Sequence, residues 1–134
     1  MSSQIADRLD ITELFARLAR LLDENRHDDI HTVYAEDIEV HSPRADVHGI
    51  DEVAAFLRGA QVVGERTQHI HGNVLVELDG DSASATADQL VYYFRDGEPP
   101  HQTSSVQLAY KVVRTAAGWR FREGRITLAW THKN

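Results

Sequence analysis

The chain has 134 residues, a formal charge of −7 at pH 7 and no cysteine. That length suits one domain with a single core, and the missing cysteine excludes disulfides, thiolate chemistry and Cys-ligated zinc. Acids and bases are mixed along the chain and acids predominate, which argues against nucleic acid or an anionic membrane as a partner. No run approaches the roughly 18 apolar residues of a membrane span, and the N-terminus has no signal-type apolar core, so the expected location is the cytoplasm.

Ile11, Leu14, Phe15, Leu18, Leu21 and Leu22 recur at helical spacing and predict a helix from about Ser3 to about Glu24 with one broad buried stripe. Ser2 or Ser3 is placed to cap it, and Asp10 with Glu13 resembles a capping box. Asp28 opens a short second helix carrying Ile30, Val33 and Tyr34; Ala35-Glu36-Asp37 breaks the pattern. Ile38 to His41 alternates as a short strand that stops at Ser42-Pro43. Val47-His48-Gly49 reads as a turn, and Asp51 as the cap of a third helix that ends near Gly59.

From Thr67 the chain turns β-rich. Val74, Val76 and Leu78 alternate with Leu75, Glu77 and Asp79 up to the hairpin signal Asp79-Gly80-Asp81. Ser82–Arg95, Ser104–Thr115 and Trp119–Thr131 read as three more long strands. Helices set apart from an antiparallel sheet give an α+β fold. The expected form is a cone-shaped barrel: a curved antiparallel sheet of four long strands plus one short strand, closed by three helices around an apolar pocket.

Candidate chemistry centres on Thr67-Gln68-His69-Ile70-His71-Gly72-Asn73. Two histidines at i and i+2 share one face of a strand, although Gly72 is a place for a bulge that would disturb that parity. Asp23 closes the first helix, where the dipole disfavours a carboxylate. If the helix end packs over the strand start, Asp23 and His69 form a pair: the imidazole titrates near neutral pH, and the carboxylate fixes its tautomer. Asp88 interrupts an otherwise apolar strand and needs a partner, for which His69 is the obvious choice. His41, His71, Tyr92 and Arg125 are the candidate substrate-binding groups, with Tyr92, His41 and Arg125 as donors to a developing enolate. Metal is expected to be absent; His41, His69 and His71 could form an imidazole set, but no ligand-spacing motif supports one. No glycine-rich nucleotide loop or serine elbow occurs, so no cofactor is expected.

Several short stretches carry a resemblance. Leu21-Leu22-Asp23 before His27-Asp28-Asp29-Ile30, then Tyr34-Ala35-Glu36-Asp37, His48-Gly49-Ile50, Thr67-Gln68-His69, Asp79-Gly80-Asp81-Ser82-Ala83 and Gly118-Trp119-Arg120-Phe121 follow in that order. Together they resemble the nuclear-transport-factor-two-like superfamily in its SnoaL-like branch. Asp23 and His69 resemble the catalytic pair of scytalone dehydratase, hexachlorocyclohexane dehydrochlorinase and the bile-acid dehydratases. Asp88 falls where those enzymes place a further polar site residue. Leu22, and His41 nearby, stand where some of them have tyrosines. The resemblance implies a cofactor-independent lyase or isomerase acting on a small apolar carbonyl or hydroxy compound. The alternatives are a SnoaL-like polyketide cyclase, a monooxygenase-like relative, and a non-catalytic ligand-binding or assembly module. The outer sheet face, with Val91, Val106, Leu108 and Tyr110 or their opposite-parity neighbours, implies a homo-oligomer, dimer or trimer.

Overall fold

Helix α1 spans Gln4–Asp23 in the computed structural model, which describes residues 3–134. Ser3 is its N-cap: the hydroxyl accepts from the backbone N–H groups of Ile5 at 3.1 Å and Ala6 at 3.4 Å. Asp10 therefore lies inside the helix rather than at its cap, Glu13 pairs with Arg17 one turn on, and Ser2 lies outside the described residues. The helix stops because Asn25 takes a left-handed conformation (φ 54°). Its N–H donates to the Leu22 carbonyl at 3.2 Å, and that of Arg26 to Leu21 at 2.8 Å. These two bonds form a Schellman motif, and an asparagine can fill its left-handed position.

The second predicted helix is a 3₁₀ turn, His27–Thr32. Tyr34 leaves it to open strand β1, Tyr34–His41, so Ala35-Glu36-Asp37 belongs to the strand. Asp46–His48 is a short strand, β2, where the sequence suggested a turn. Helix α2, Ile50–Gly59, has Gly49 rather than Asp51 as its N-cap, with no side-chain cap bond. Four long strands follow: β3 (Arg66–Asp79), β4 (Ser82–Phe94), β5 (Gln102–Thr115) and β6 (Gly118–Lys133).

The six strands make one sheet in the order β2-β1-β6-β5-β4-β3. Three successive hairpins starting at β3 deliver β6 beside β1, and there the two run parallel. The sheet is thus mixed, not wholly antiparallel, and its edges, β2 and β3, do not meet to close a barrel. Tyr34 pairs with Phe121 and Glu39 with Glu123, so four β1 residues bulge between two neighbouring pairs.

The core lies between α1 and the concave face. Phe15, Ile11 and Leu18 from α1 meet Val112 and Phe121, all nearly free of solvent contact. Tyr110 stacks on Phe121 with ring centroids 3.9 Å apart, and Phe15 meets both edge-on. Val91, Val106, Leu108 and Tyr110 are all buried on this inner side. The outer face instead carries the opposite-parity set, Leu90 and Tyr92, with exposed Ile70, Leu75 and Trp130. Trp119 is core, and its indole N–H donates to buried Asp7 at 3.2 Å. Among the described residues no helix is long and apolar enough to cross a membrane.

Candidate active site

Strand β3 changes parity part-way. Above Gly72, the odd positions Thr67, His69 and His71 face inward; below it, the even positions Val74, Val76 and Leu78 do. Gly72 pairs with Asp88 and Leu75 with Thr86, so two residues, Asn73 and Val74, oppose Ala87 alone. This is a β-bulge, with Asn73 at φ 53°. It begins after His71, so both histidines stay on the inner face.

The end of α1 packs over this part of β3 and places the Asp23 carboxylate against three donors. The Thr67 hydroxyl donates at 3.2 Å, and the His69 backbone N–H reaches Oδ1 and Oδ2 at 3.1 and 3.0 Å. The His69 ring nitrogen Nδ1 lies 2.6 Å from Oδ1. A carboxylate at the negative end of a helix is unfavourable by itself; these donors offset that cost. An acceptor at Nδ1 assigns the ring proton there and leaves the lone pair on Nε2. The only fully buried side-chain polar atom without a partner among the described residues is His71 Nδ1. His69 Nε2 makes no hydrogen bond within the protein either, and it is therefore open to solvent or to a ligand.

His71 sits one inward position further along. Its Nε2 lies 2.7 Å from Gln89 Oε1, and its ring meets Phe15 edge-on at 5.6 Å. Burial lowers its pKa, and the His69 ring lowers it further; the Gln89 bond, the Asp23 charge and the Phe15 backbone act the other way without restoring it. His71 is therefore a neutral imidazole at pH 7, donating from Nε2 and leaving a buried lone pair on Nδ1.

Sheet register extends the site across the inner face. His69 pairs with Val91, Val91 with Ser104, and Ser104 with Thr131. The Ser104 and Thr131 hydroxyls lie 3.0 Å apart. The next row runs His71, Gln89, Val106, Leu128. Gln89 and Ser104 are both buried. The inner face therefore offers a base, a neutral imidazole, a carboxamide with its NH₂ side uncommitted and two hydroxyls, set among apolar side chains.

The remaining predicted site residues lie elsewhere. Asp88 is on the outer face and exposed, because strand parity turns Ala87 and Gln89 inward and Asp88 out; it accepts from Asn73 Nδ2 at 2.8 Å rather than meeting His69. Tyr92 shares that outward parity. His41 points away from the core on β1, bonded to Asp46 at 3.0 Å, and Arg125, its register partner on β6, is exposed on the same side. His41 is therefore separated by the sheet from His69 and His71, and the three make no imidazole cluster. Gln89, Ser104, Thr131 and Thr67 were missed from the sequence. The inward run Ala83, Ala85, Ala87, whose small side chains leave room for α1, was the signal that would have found Gln89.

Residues 3–125 match the SnoaL-like domain family. The chain belongs to that family. This SnoaL-like chain superposes on a scytalone-dehydratase-like protein from Novosphingobium aromaticivorans with a TM-score of 0.85, at 20% identity over 97% of this chain and 89% of the other. ActVI-ORFA from Streptomyces coelicolor gives 0.81 at 20% identity, covering 90% and 96%. A type 2 hexachlorocyclohexane dehydrochlorinase gives 0.83 at 15% identity, covering 98% and 90%. At these identities the likeness establishes a shared fold. No curated protein matches the SnoaL-like chain in sequence.

Proposed function

We propose that this SnoaL-like chain is a cofactor-independent lyase or isomerase that removes a proton beside a carbonyl or a leaving group of a small, mostly apolar compound. His69 is the base and Asp23 its orienting partner. The observation that carries this reading is the 2.6 Å contact between Asp23 and His69 Nδ1, with Nε2 left without a protein partner. The similar structures include proteins whose names denote dehydratase and dehydrochlorinase chemistry, and loss of water or of HCl from a carbon skeleton includes removal of a proton, which a histidine base can take. With Tyr92 and Arg125 facing outward, the group that polarises the substrate is the Gln89 carboxamide or the Ser104–Thr131 hydroxyl pair. Neighbouring strands are about 4.8 Å apart, so Ser104, two strands from His69, sits roughly 10 Å across the inner face. That spacing suits a fused-ring or polyketide-sized skeleton.

The test is α-proton exchange in D₂O, followed by NMR across a panel of steroid, polyketide and terpenoid ketones. Wild-type protein should exchange the α-proton of at least one class, and His69→Ala should slow it by a factor on the order of 10²–10⁴. Equal rates in both proteins, or no exchange with any class, would refute the proposal in favour of a binding module. The apolar outer face fits self-association through Leu90, Ile70 and Trp130. Light scattering should then report an oligomer at micromolar concentration, and Trp130→Glu should shift it toward monomer; a wild-type monomer would refute that.

A further inference from the structure

Across the sheet from the dyad, at its short edge, four strand positions bring together a set of groups that the proposed chemistry does not use. Glu39 and His41 stand on β1, His48 on β2 and Glu123 on β6. His41 Nε2 lies 3.8 Å from Glu39 Oε2 and 4.0 Å from Glu123 Oε1. These three donor atoms all fall within 4.8 Å of one another. Both contacts are too long for hydrogen bonds.

The outward partners explain how each donor is aimed. Asp46 Oδ1 takes the Nδ1 proton of His41 at 3.0 Å, which leaves the lone pair on Nε2. His48 Nε2 binds the other Glu39 oxygen, Oε1, at 2.8 Å. Lys111 Nζ lies 3.4 Å from the other Glu123 oxygen, Oε2. Each group spends one polar atom on an orienting neighbour and turns the next toward a common point. One ring nitrogen and one oxygen of each glutamate converge there, and Asp46 adds a further negative charge that Lys111 only partly offsets. The excess of negative charge around that point favours a cation there. Orienting partners of this kind, a carboxylate on the far nitrogen of a histidine above all, are the ordinary outer shell of a metal site.

We propose that Glu39, His41 and Glu123 bind a divalent transition-metal ion of the Zn²⁺ class. An ion held tetrahedrally at about 2.0–2.2 Å from each donor sets them roughly 3.4 Å apart. The observed separations reach that value by small rotations of two glutamates, both about one-third exposed. One imidazole with two carboxylates suits zinc and its neighbours better than calcium or magnesium, which prefer oxygen alone. Solvent takes the fourth position. The ion would tie β1 to β6 beside the bulge in their pairing and, through His48, hold the three-residue strand β2 in place. Its role is a clip on the sheet edge, independent of the Asp23–His69 chemistry.

The experiment is calorimetric titration of the tag-free full chain with Zn²⁺ alone at pH 7.5, with Co²⁺ absorption spectra as a second readout. The expected result is saturable binding of one equivalent per chain and a tetrahedral Co²⁺ spectrum. His41→Ala should abolish it, Glu123→Gln should weaken it at least tenfold, and Asp46→Asn should weaken it about 10–100-fold through the orienting bond. His69→Ala should leave it unchanged. Glu123→Gln, an isosteric change at a half-buried position, keeps the test valid if His41→Ala does not fold. Absence of saturable binding at millimolar Zn²⁺ would overturn the proposal. So would binding that survives both His41→Ala and Glu123→Gln, or binding that disappears in His69→Ala.

Discussion

Replacing Asp23 by asparagine probes the site without needing its substrate. The carboxylate accepts from the Thr67 hydroxyl, the His69 backbone N–H and the His69 ring. Asparagine keeps one acceptor oxygen and turns an NH₂ toward the remaining donors, so at least one donor loses its partner. The two side chains are only 21% and 13% exposed, so water replaces little of what is lost. One unpaired donor in such a setting costs about 1–3 kcal/mol. At the usual unfolding entropy per residue, a chain of 134 residues loses about 3.6 °C of Tm per kcal/mol, so Tm should fall by about 4–11 °C. Long-range ¹H–¹⁵N NMR should show His69 protonated at Nδ1 in the wild type, and the Nε2–H tautomer should appear in the variant. A wild-type spectrum with the proton on Nε2, or a variant with unchanged melting and tautomer, would refute the reasoning.

Two further outcomes follow from the packing. Burial holds His71 below the usual imidazole range, so between the unfolded value near about 6.5 and the lower folded one the unfolded chain binds more protons. The stability due to the neutral ring should be complete above that pH, decline as pH falls through the folded value, and level off beneath it. Urea melts from pH 8 to 4 should show a loss that His71→Gln lacks, and parallel curves for the two proteins would contradict this. Gly124→Ala would place a Cβ 2.5 Å from Cε1 of Tyr110, whose buried ring is stacked on Phe121 and has no room to move. Overpacking of this kind costs about 1–3 kcal/mol, and denaturant melts showing no loss would mean that the ring is mobile.

The helical stripe of α1 and the hairpin Asp79-Gly80-Asp81 were legible because local periodicity and turn chemistry set them. So was the Asp23–His69 contact, since it needs only a helix end to lie over a strand start. The parallel β1–β6 pairing was not legible: it joins residues some eighty apart, and nothing in Tyr34–His41 states its direction. Asp88 was misplaced for a subtler reason. In a strand, one residue's error in parity moves a side chain to the other face, and Ala87-Asp88-Gln89 offers two polar residues with opposite orientations. The inward one is the amide, held by His71. His41 and Arg125 were grouped with the pocket because both are strand residues with useful chemistry; the sheet itself separates them from it.

The bulge at Asn73 sets the two halves of β3 in opposite phase. Toward one end the strand presents histidines to the interior; toward the other it presents valine and leucine. Straightening the bulge with Asn73 kept would force unbroken alternation, and with the lower half held by the core, Gln68 and Ile70 would rotate inward while His69 and His71 turned out. The bulge takes up the one residue that is out of step, and while it holds, both halves of the strand keep their inward sets. The contact from Asn73 to Asp88 lies across that junction on the far side of the sheet. A carboxylate that never enters the site thus braces the single irregularity on which the orientation of the histidines depends.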